Sequence, residues 1–365
     1  MAARDSQRGG AQAEEVPPGL LPFWDKTVQH FVQLDELPIA PPAQERHRIY
    51  ALLLMALIAD RWNGNKYGET GDYGQWRAGQ LLTTSPNVYS GGSYLGHNIA
   101  ALAVDADGRV IDFDFNHNEV FDSSVEHAES RLIRRVFALN QVYDPWQLDR
   151  ERPRRARDVP ARQRHQLFAT AVTDRAELVT ARTAERVASG YSTLLSDVTV
   201  YTSLEPCAQC TGIMCLASVK EVVYLQPDDG QFLIGNIMRR ATKAQPLGFT
   251  APRPVSGTEI DLGYYNELAT GYQEFMRRVL DEPFYRKGDH TIRTPSLTSF
   301  LCTDAAYRIY GQARAELGRW KAPKYPEHRP EQPESSFTNQ QALALAKDFL
   351  QYLRAIQNRG TAHRV

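Results

Sequence analysis

Two short stretches decide how this chain is interpreted: residues 206–210 read Pro-Cys-Ala-Gln-Cys, and residues 127–129 read His-Ala-Glu. If they meet in space, they bring together one imidazole, two thiolates and one carboxylate. An imidazole and two thiolates can hold a zinc ion and leave its fourth position open, as catalytic zinc sites do. The sequence therefore predicts a zinc site with an open coordination position.

We expect His127, Cys207 and Cys210 to be the zinc ligands. The two cysteines are three residues apart at a predicted helix start, so both sulfurs lie on one face and reach the same ion. A helix N-terminus also lowers the pKa of a thiol and favours the thiolate that binds metal. Glu129 is not needed as a ligand, and we expect it to be the catalytic residue that moves protons between water and substrate.

A closed structural zinc site is the alternative, because a Cys-x-x-Cys pair is half of many such sites. It would need a fourth protein ligand. Cys215 is the candidate, but it follows Cys207 by two helical turns on the same predicted helix. That spacing is too long to share one ion comfortably, so the open site is favoured.

Composition describes an ordinary soluble protein of 365 residues, 42% hydrophobic and 23% charged. The formal net charge of -1 gives no overall attraction to nucleic acid or to an anionic membrane. Three of the four cysteines lie within residues 207–215, a spacing that suits metal ligation better than a disulfide framework. We find no signal-peptide pattern and no apolar run long enough to span a bilayer, and expect a cytoplasmic protein.

Apolar periodicity predicts alternating strands and helices around the motifs. The predicted strands are 99–104, 109–115, 198–202 and 221–225, the first two joined by an Asp-Ala-Asp-Gly turn at 105–108. The predicted helices are 20–37, 43–62, 123–139, 207–217, 265–280, 299–317 and 339–357. The helix at 43–62 is apolar nearly all round and should be buried.

Residues 98–226 resemble the cytidine/deoxycytidylate deaminase superfamily, and most of all its tRNA adenosine deaminase and nucleobase deaminase branch. His-x-Glu and the Ser-Leu-Glu-Pro-Cys-Ala-Gln-Cys of residues 203–210 are similar to the motifs of that branch. Asn116 precedes His127 by the spacing that the branch uses for a substrate-binding Asn. The resemblance implies an α/β protein with a three-layer α/β/α fold, a mixed five-stranded sheet and a homodimeric assembly. It also implies the zinc ligands and Glu129 as above, and Asn116 as a contact to the base or sugar.

The chain departs from that branch in length. The branch usually places Pro-Cys-x-x-Cys about thirty residues after the His, whereas 80 residues separate His127 from Cys207 here. We expect a disordered leader, a helical N-terminal extension, a deaminase domain with a long insert, and a helical C-terminal extension. Their predicted bounds are 1–18, 19–95, 96–280 with the insert at 141–196, and 281–365.

The expected reaction is zinc-dependent hydrolytic deamination of a nucleobase-like heterocycle, with zinc-bound hydroxide attacking the amine-bearing ring carbon. A free base, nucleoside or nucleotide is favoured as substrate over RNA, because the motif is complete while the chain lacks global basic charge. Two alternatives stay open: a deaminase of polynucleotides, RNA or DNA, and a non-catalytic scaffold subunit that keeps zinc for structure.

Two further stretches have a functional and a plain interpretation. The Arg-rich residues 150–164 have the charge to bind phosphates, but interspersed acids and prolines favour a solvated linker. The Gly- and aromatic-rich residues 63–77 have the composition of a loop that lines a site, but a surface loop is favoured.

Overall fold

The computed structural model describes most of the chain outside three long segments, residues 1–25, 63–96 and 140–194. The described residues are 26–62, 97–118, 123–139, 195–231, 233–243, 249–283, 286–287, 290–291, 294–331 and 336–356. The predicted leader at 1–18, the loop at 63–77 and the Arg-rich stretch at 150–164 lie outside them, as does the insert 141–196 except for its last two residues.

The described part of the chain forms nine helices and seven strands. In chain order they are α1 (Val28–Val32), α2 (Pro41–Asp60), β1 (Ala100–Val104), β2 (Val110–Phe115), α3 (Ala128–Leu139), β3 (Thr199–Thr202), α4 (Ala208–Leu216), β4 (Glu221–Tyr224), α5 (Ile234–Lys243), β5 (Arg253–Ser256), α6 (Gly263–Asp281), β6 (Arg286–Lys287), β7 (His290–Thr291), α7 (Leu297–Phe300), α8 (Asp304–Arg319) and α9 (Asn339–Ile356).

One five-stranded sheet, in the order β2-β1-β3-β4-β5, forms the centre of the molecule. β1 pairs antiparallel with both β2 and β3, whereas β3, β4 and β5 run parallel. The sheet is therefore mixed, and the predicted α/β class and five-stranded mixed sheet are confirmed. A separate two-stranded pair, β6 with β7, lies outside it.

Helices cover both faces of this sheet. On β3, Tyr201 bonds to His47 of α2, while Thr202 bonds to Glu129 of α3. Because successive side chains of a strand point to opposite faces, α2 and α3 lie on opposite sides. α4 packs beside α3, and this places the starts of both motif helices on the same face. The predicted three-layer α/β/α arrangement is confirmed.

The second half of α2 is buried on all sides, as its continuous apolar sequence predicts. Every residue from Ile49 to Ala59 is buried. The helix lies between the sheet and α8 and α9, the helices of the predicted C-terminal extension. The predicted boundary at residue 96 places α2 in the N-terminal extension, although α2 packs directly on the sheet. The domain boundary itself stays a prediction.

Several element bounds differ from the prediction. α5 and β5 were not expected at all, and the pattern at 20–37 yields only the short α1 among the residues described. The helix predicted at 299–317 is two helices, since Thr303 leaves the helical conformation and its hydroxyl accepts from the Ala306 amide to begin α8. None of the described helices has the length and hydropathy needed to cross a membrane.

Gly108 allows the predicted hairpin turn between β1 and β2. Its φ of 93° lies in a region that side chains disfavour. A Cβ at this position would also lie 2.3 Å from Nη2 of Arg46 and 2.7 Å from the hydroxyl of Tyr50. The turn therefore fits against α2 only without a side chain.

We predict that Gly108→Ala lowers the free energy of unfolding by about 1–3 kcal/mol, because it combines backbone strain with a steric clash. Urea denaturation monitored by circular dichroism measures this. Gly311→Ala is the matched control: Gly311 lies inside α8, and a methyl group added there would have nothing within 4 Å beyond its own helix. That control should stabilise the protein by up to about 1 kcal/mol, and equal effects of the two changes would contradict the assignment.

Candidate metal centre and active site

The two sequence motifs meet at the carboxyl end of β3. His127 immediately precedes α3, Cys207 immediately precedes α4, and Cys210 lies in the first turn of α4. Cys207 has an extended backbone (φ −69°, ψ 170°), so the predicted helix start at Cys207 is displaced by one residue. The sulfurs of Cys207 and Cys210 still face the same side, as the spacing predicts.

The distances among the three side chains match what one zinc ion requires. Nδ1 of His127 lies 3.5 Å from Sγ of Cys207 and 3.6 Å from Sγ of Cys210. Zn–N bonds of about 2.0–2.1 Å and Zn–S bonds of about 2.3 Å at a tetrahedral angle place N and S about 3.6 Å apart. Among the described residues, these three are the group placed to hold a metal ion.

The closed structural site finds no support in the position of Cys215. Its thiol donates to the carbonyl oxygen of Phe249 at 3.5 Å and stays apart from the three ligands. The described residues therefore supply three donors to the site. An imidazole and two thiolates are the donor set of zinc rather than of magnesium or calcium, which take oxygen ligands.

Electrostatics at the two thiols also fits a bound dication. Hydrogen bonds from Cys210 and from His127 lower the pKa of Cys207 to about 4, whereas the bond to Cys207 and burial raise the pKa of Cys210. One thiolate thus forms readily beside His127, while the second needs an additional positive charge. A zinc ion held by these residues would supply that charge and would favour the deprotonated form of both thiols.

Glu129 lies beside the three ligands on the first turn of α3 and is 4% exposed. Its Oε1 accepts a hydrogen bond of 2.8 Å from the hydroxyl of Thr202, and its Oε2 lies 3.4 Å from Sγ of Cys210. Burial raises the pKa of this carboxyl group. A carboxyl group that is buried, held at one oxygen and close to the metal ligands is suited to accept and return a proton.

Thr202 is the residue of the site that sequence reasoning missed. It ends β3, and the hydroxyl that donates to Glu129 also lies 3.1 Å from the carbonyl oxygen of Leu204. A threonine at the end of a strand is too common to be singled out by type. Its position five residues before Cys207 could have indicated a role in the site, because residues at the carboxyl ends of strands often line the active sites of α/β proteins.

Asn116 is buried and serves the local structure. Its Oδ1 accepts the backbone N–H of Ala128 at 2.8 Å, which satisfies one of the free donors at the start of α3. The helix predicted to begin at residue 123 therefore begins at Ala128, and its cap comes across space from the residue that follows β2. This bond fixes the end of β2 to the helix that carries Glu129.

Ion pairs fix α3 against β2 in the same region. Arg131 lies 2.8 Å from the carboxylate of Glu126 and 3.3 Å from that of Asp114, and Arg135 lies 2.8 Å from Asp112. Burial raises the pKa of Asp114 to about 7, against the influence of Arg131. Together with the Asn116 cap, these contacts hold the start of α3 in place, and with it the positions of His127 and Glu129.

Comparisons with known proteins agree with this geometry. The family model for the cytidine and deoxycytidylate deaminase zinc-binding region matches residues 154–226. The match contains both cysteines and begins beyond His127, which lies 80 residues before Cys207. A comparison with curated protein sequences gives no match.

One solved structure comes from biochemical and structural studies of A-to-I editing by tRNA:A34 deaminases at the wobble position of transfer RNA. It is 19% identical over 45% of this chain and 83% of its own, with a TM-score of 0.24, and at that score the likeness bears on neither fold nor substrate. The family-model match and the geometry agree instead on the zinc-binding residues: the match contains Cys207 and Cys210, and the structure places His127 beside them. Residues 154–226 of this chain are thus similar to the zinc-binding region of the cytidine and deoxycytidylate deaminases, and His127 joins the two cysteines of that region.

Proposed function

We propose that this protein is a zinc-dependent hydrolytic deaminase that replaces the exocyclic amine of a nucleobase-like heterocycle with oxygen. The observation that carries this proposal is the buried carboxyl group of Glu129 next to three side chains placed to hold zinc. A structural zinc site has no use for such a group, whereas a hydrolytic one needs a proton carrier at that place.

The chain's own residues divide the work. A zinc ion held by His127, Cys207 and Cys210 would lower the pKa of water at its open position toward neutrality. Glu129 takes the proton from the attacking water and delivers it to the departing amine, so that water and substrate give a carbonyl group and ammonia. Because Thr202 holds Oε1, Oε2 is the oxygen that carries the proton.

Asn116 is proposed to contact the substrate, and the structure limits how. Its Oδ1 already accepts from the amide of Ala128, so a hydrogen bond to a base or sugar would come from Nδ2 as a donor. An acceptor atom of the substrate, such as a ring nitrogen or a hydroxyl oxygen, is what this group could bind. Replacing the Asn would also remove the helix cap.

A free base, nucleoside or nucleotide is the proposed substrate, and a homodimer in the cytoplasm is the proposed form. The net charge of -1 supports a small substrate, because polynucleotide binding rests largely on neutralising phosphates. A polynucleotide deaminase is the second candidate, favoured by the Arg-rich stretch at 150–164. A scaffold subunit without activity is the weakest candidate, since it would have no need of Glu129.

We predict that Cys207→Ser removes zinc from the purified protein, because the replacement hydroxyl does not ionise to a comparable ligand near neutral pH. Metal content measured by mass spectrometry tests this. Cys215→Ser is the matched control, since that thiol bonds to a carbonyl outside the site. Loss of zinc in the Cys215 variant, with retention in the Cys207 variant, would refute the ligand assignment.

Glu129→Gln is expected to lower the rate of ammonia release by about 10³-fold or more while zinc stays bound, because it removes the proton carrier and keeps the shape. Thr202→Val should cost about tenfold in kcat, since it removes one hydrogen bond to the carboxyl group. Glu274→Gln, on the exposed side of α6, should leave the rate unchanged. Full activity in the Glu129 variant would exclude the mechanism.

The substrate class is tested by incubating the protein with cytosine, adenine and guanine compounds as bases, nucleosides and nucleotides, and measuring ammonia. We expect turnover of at least one of them. A gel-shift assay with RNA and single-stranded DNA at several salt concentrations addresses the polynucleotide alternative, which demands affinity that falls steeply with salt. Steep salt dependence together with no turnover of any small compound would favour that alternative.

A further inference from the structure

A cavity of about 400 Å³ lies at the end of the sheet opposite the metal centre. Its floor is the edge where β1 ends and where β3, β4 and β5 begin, its wall is the first half of α2, and its rim includes His328 and Glu331 of the segment before α9. We call it the sheet-edge cavity. Six stretches of the chain, between residues 39 and 331, converge on it.

The sheet-edge cavity is separate from the deaminase site. Thr199, the first residue of β3, lines the cavity, whereas Thr202, the last, bonds to Glu129. At about 3.3 Å per residue, the strand separates the two sites by about 10 Å. None of the zinc ligands lines the cavity, and the deaminase chemistry gives it no role.

Arg46 is the most informative side chain in the cavity. It lies on α2 and is only 8% exposed. Its guanidinium donates to the backbone carbonyls of Phe337 and Asp107, and among the described residues it has no carboxylate within ion-pair distance. A buried guanidinium has five donors and a full charge, and burial without a counter-charge is costly. An anion that entered the cavity would supply the counter-charge that the Arg46 guanidinium lacks.

The buried acid of the cavity is already engaged elsewhere. Glu221 accepts a hydrogen bond of 2.8 Å from Thr199 and lies 3.9 Å from Nε2 of His47, whose other ring nitrogen is 2.9 Å from the hydroxyl of Tyr201. Asp105 accepts the backbone N–H of Arg109 at 2.7 Å. Neither carboxylate therefore serves as the counter-ion of Arg46.

The remaining charges lie toward solvent. Arg253 is paired with Glu36 at 2.8 Å, whereas Lys220 is exposed and has no ion pair among the described residues. Asp197 and Glu331 are exposed at the mouth. The cavity thus offers a buried cation inside, a second cation at the mouth, and carboxylates at the mouth that can accept hydrogen bonds.

We propose that the sheet-edge cavity binds a small organic anion, with a carboxylate or phosphate group at Arg46 and hydroxyl or amino donors toward Asp197 and Glu331. A carboxylate and a phosphate each present two oxygens that a guanidinium can bind with two parallel hydrogen bonds. The carboxylates of Asp197 and Glu331 at the mouth disfavour an anionic ligand that has no hydrogen-bond donors to offer them. A volume of about 400 Å³ suits a metabolite with one such group and a short polar body.

The test is isothermal titration calorimetry on the full-length, zinc-loaded protein at low ionic strength. Ribose 5-phosphate and L-glutamate are the probes, because each joins an anionic group to hydroxyl or amino donors, one through phosphate and the other through carboxylate. We expect at least one to bind with a Kd below about 1 mM, and the tighter of the two identifies the anion that the site prefers. If both fail to bind, the proposal is overturned.

Two variants connect binding to the cavity. Arg46→Gln removes the buried charge, and Ala43→Leu fills the space from α2 without changing charge; each should weaken binding at least about tenfold. Arg277→Gln, exposed on α6 and outside the cavity, is the control and should bind as the wild type does. If Arg46→Gln does not fold, Ala43→Leu decides. Unchanged affinity in the folded variants would overturn the proposal, whatever the deaminase assays show.

Discussion

The alternation of side chains along β3 is the constraint on which the rest of the structure depends. In four residues this strand places Tyr201 against His47 of α2 and Thr202 against Glu129 of α3. Because neighbouring side chains must point to opposite faces, one short strand joins both helical layers to the sheet. A shift of register by one residue would exchange the two faces and detach the proton carrier from its hydrogen-bond donor.

β3 also gives the metal centre its place. The chain leaves the strand at Thr202 and reaches Cys207 at the beginning of α4, while α3 begins on the same face with His127 just before it. The start of α3 is fixed by the Asn116 cap and by the ion pairs of Arg131 and Arg135 with β2. Two rigid helix starts, rather than flexible loops, therefore hold the ligands at the distances that zinc requires.

Much of this could be predicted from local sequence, and what could not was set by contacts across space. The ligand set, the hairpin with Gly108 and the buried α2 follow from motif spacing, turn chemistry and an unbroken apolar run. β5 was missed because Arg253-Pro254-Val255-Ser256 contains a proline and no apolar alternation, and such a strand is tolerated only at a sheet edge. Thr202 and the Asn116 cap were missed because the partner of each lies on another element. The break at Thr303 was missed since the apolar pattern runs on through it.

The burial of α2 has a consequence for how the chain is made. Synthesis reaches the end of α2 at Asp60, but α8, which covers the helix, begins only at Asp304. At about 5–20 residues per second, the ribosome needs roughly 12–50 s to supply that cover. During this interval the apolar segment from Ile49 to Ala59 has no complete burial site, and it is the part of the nascent chain that a chaperone would shield.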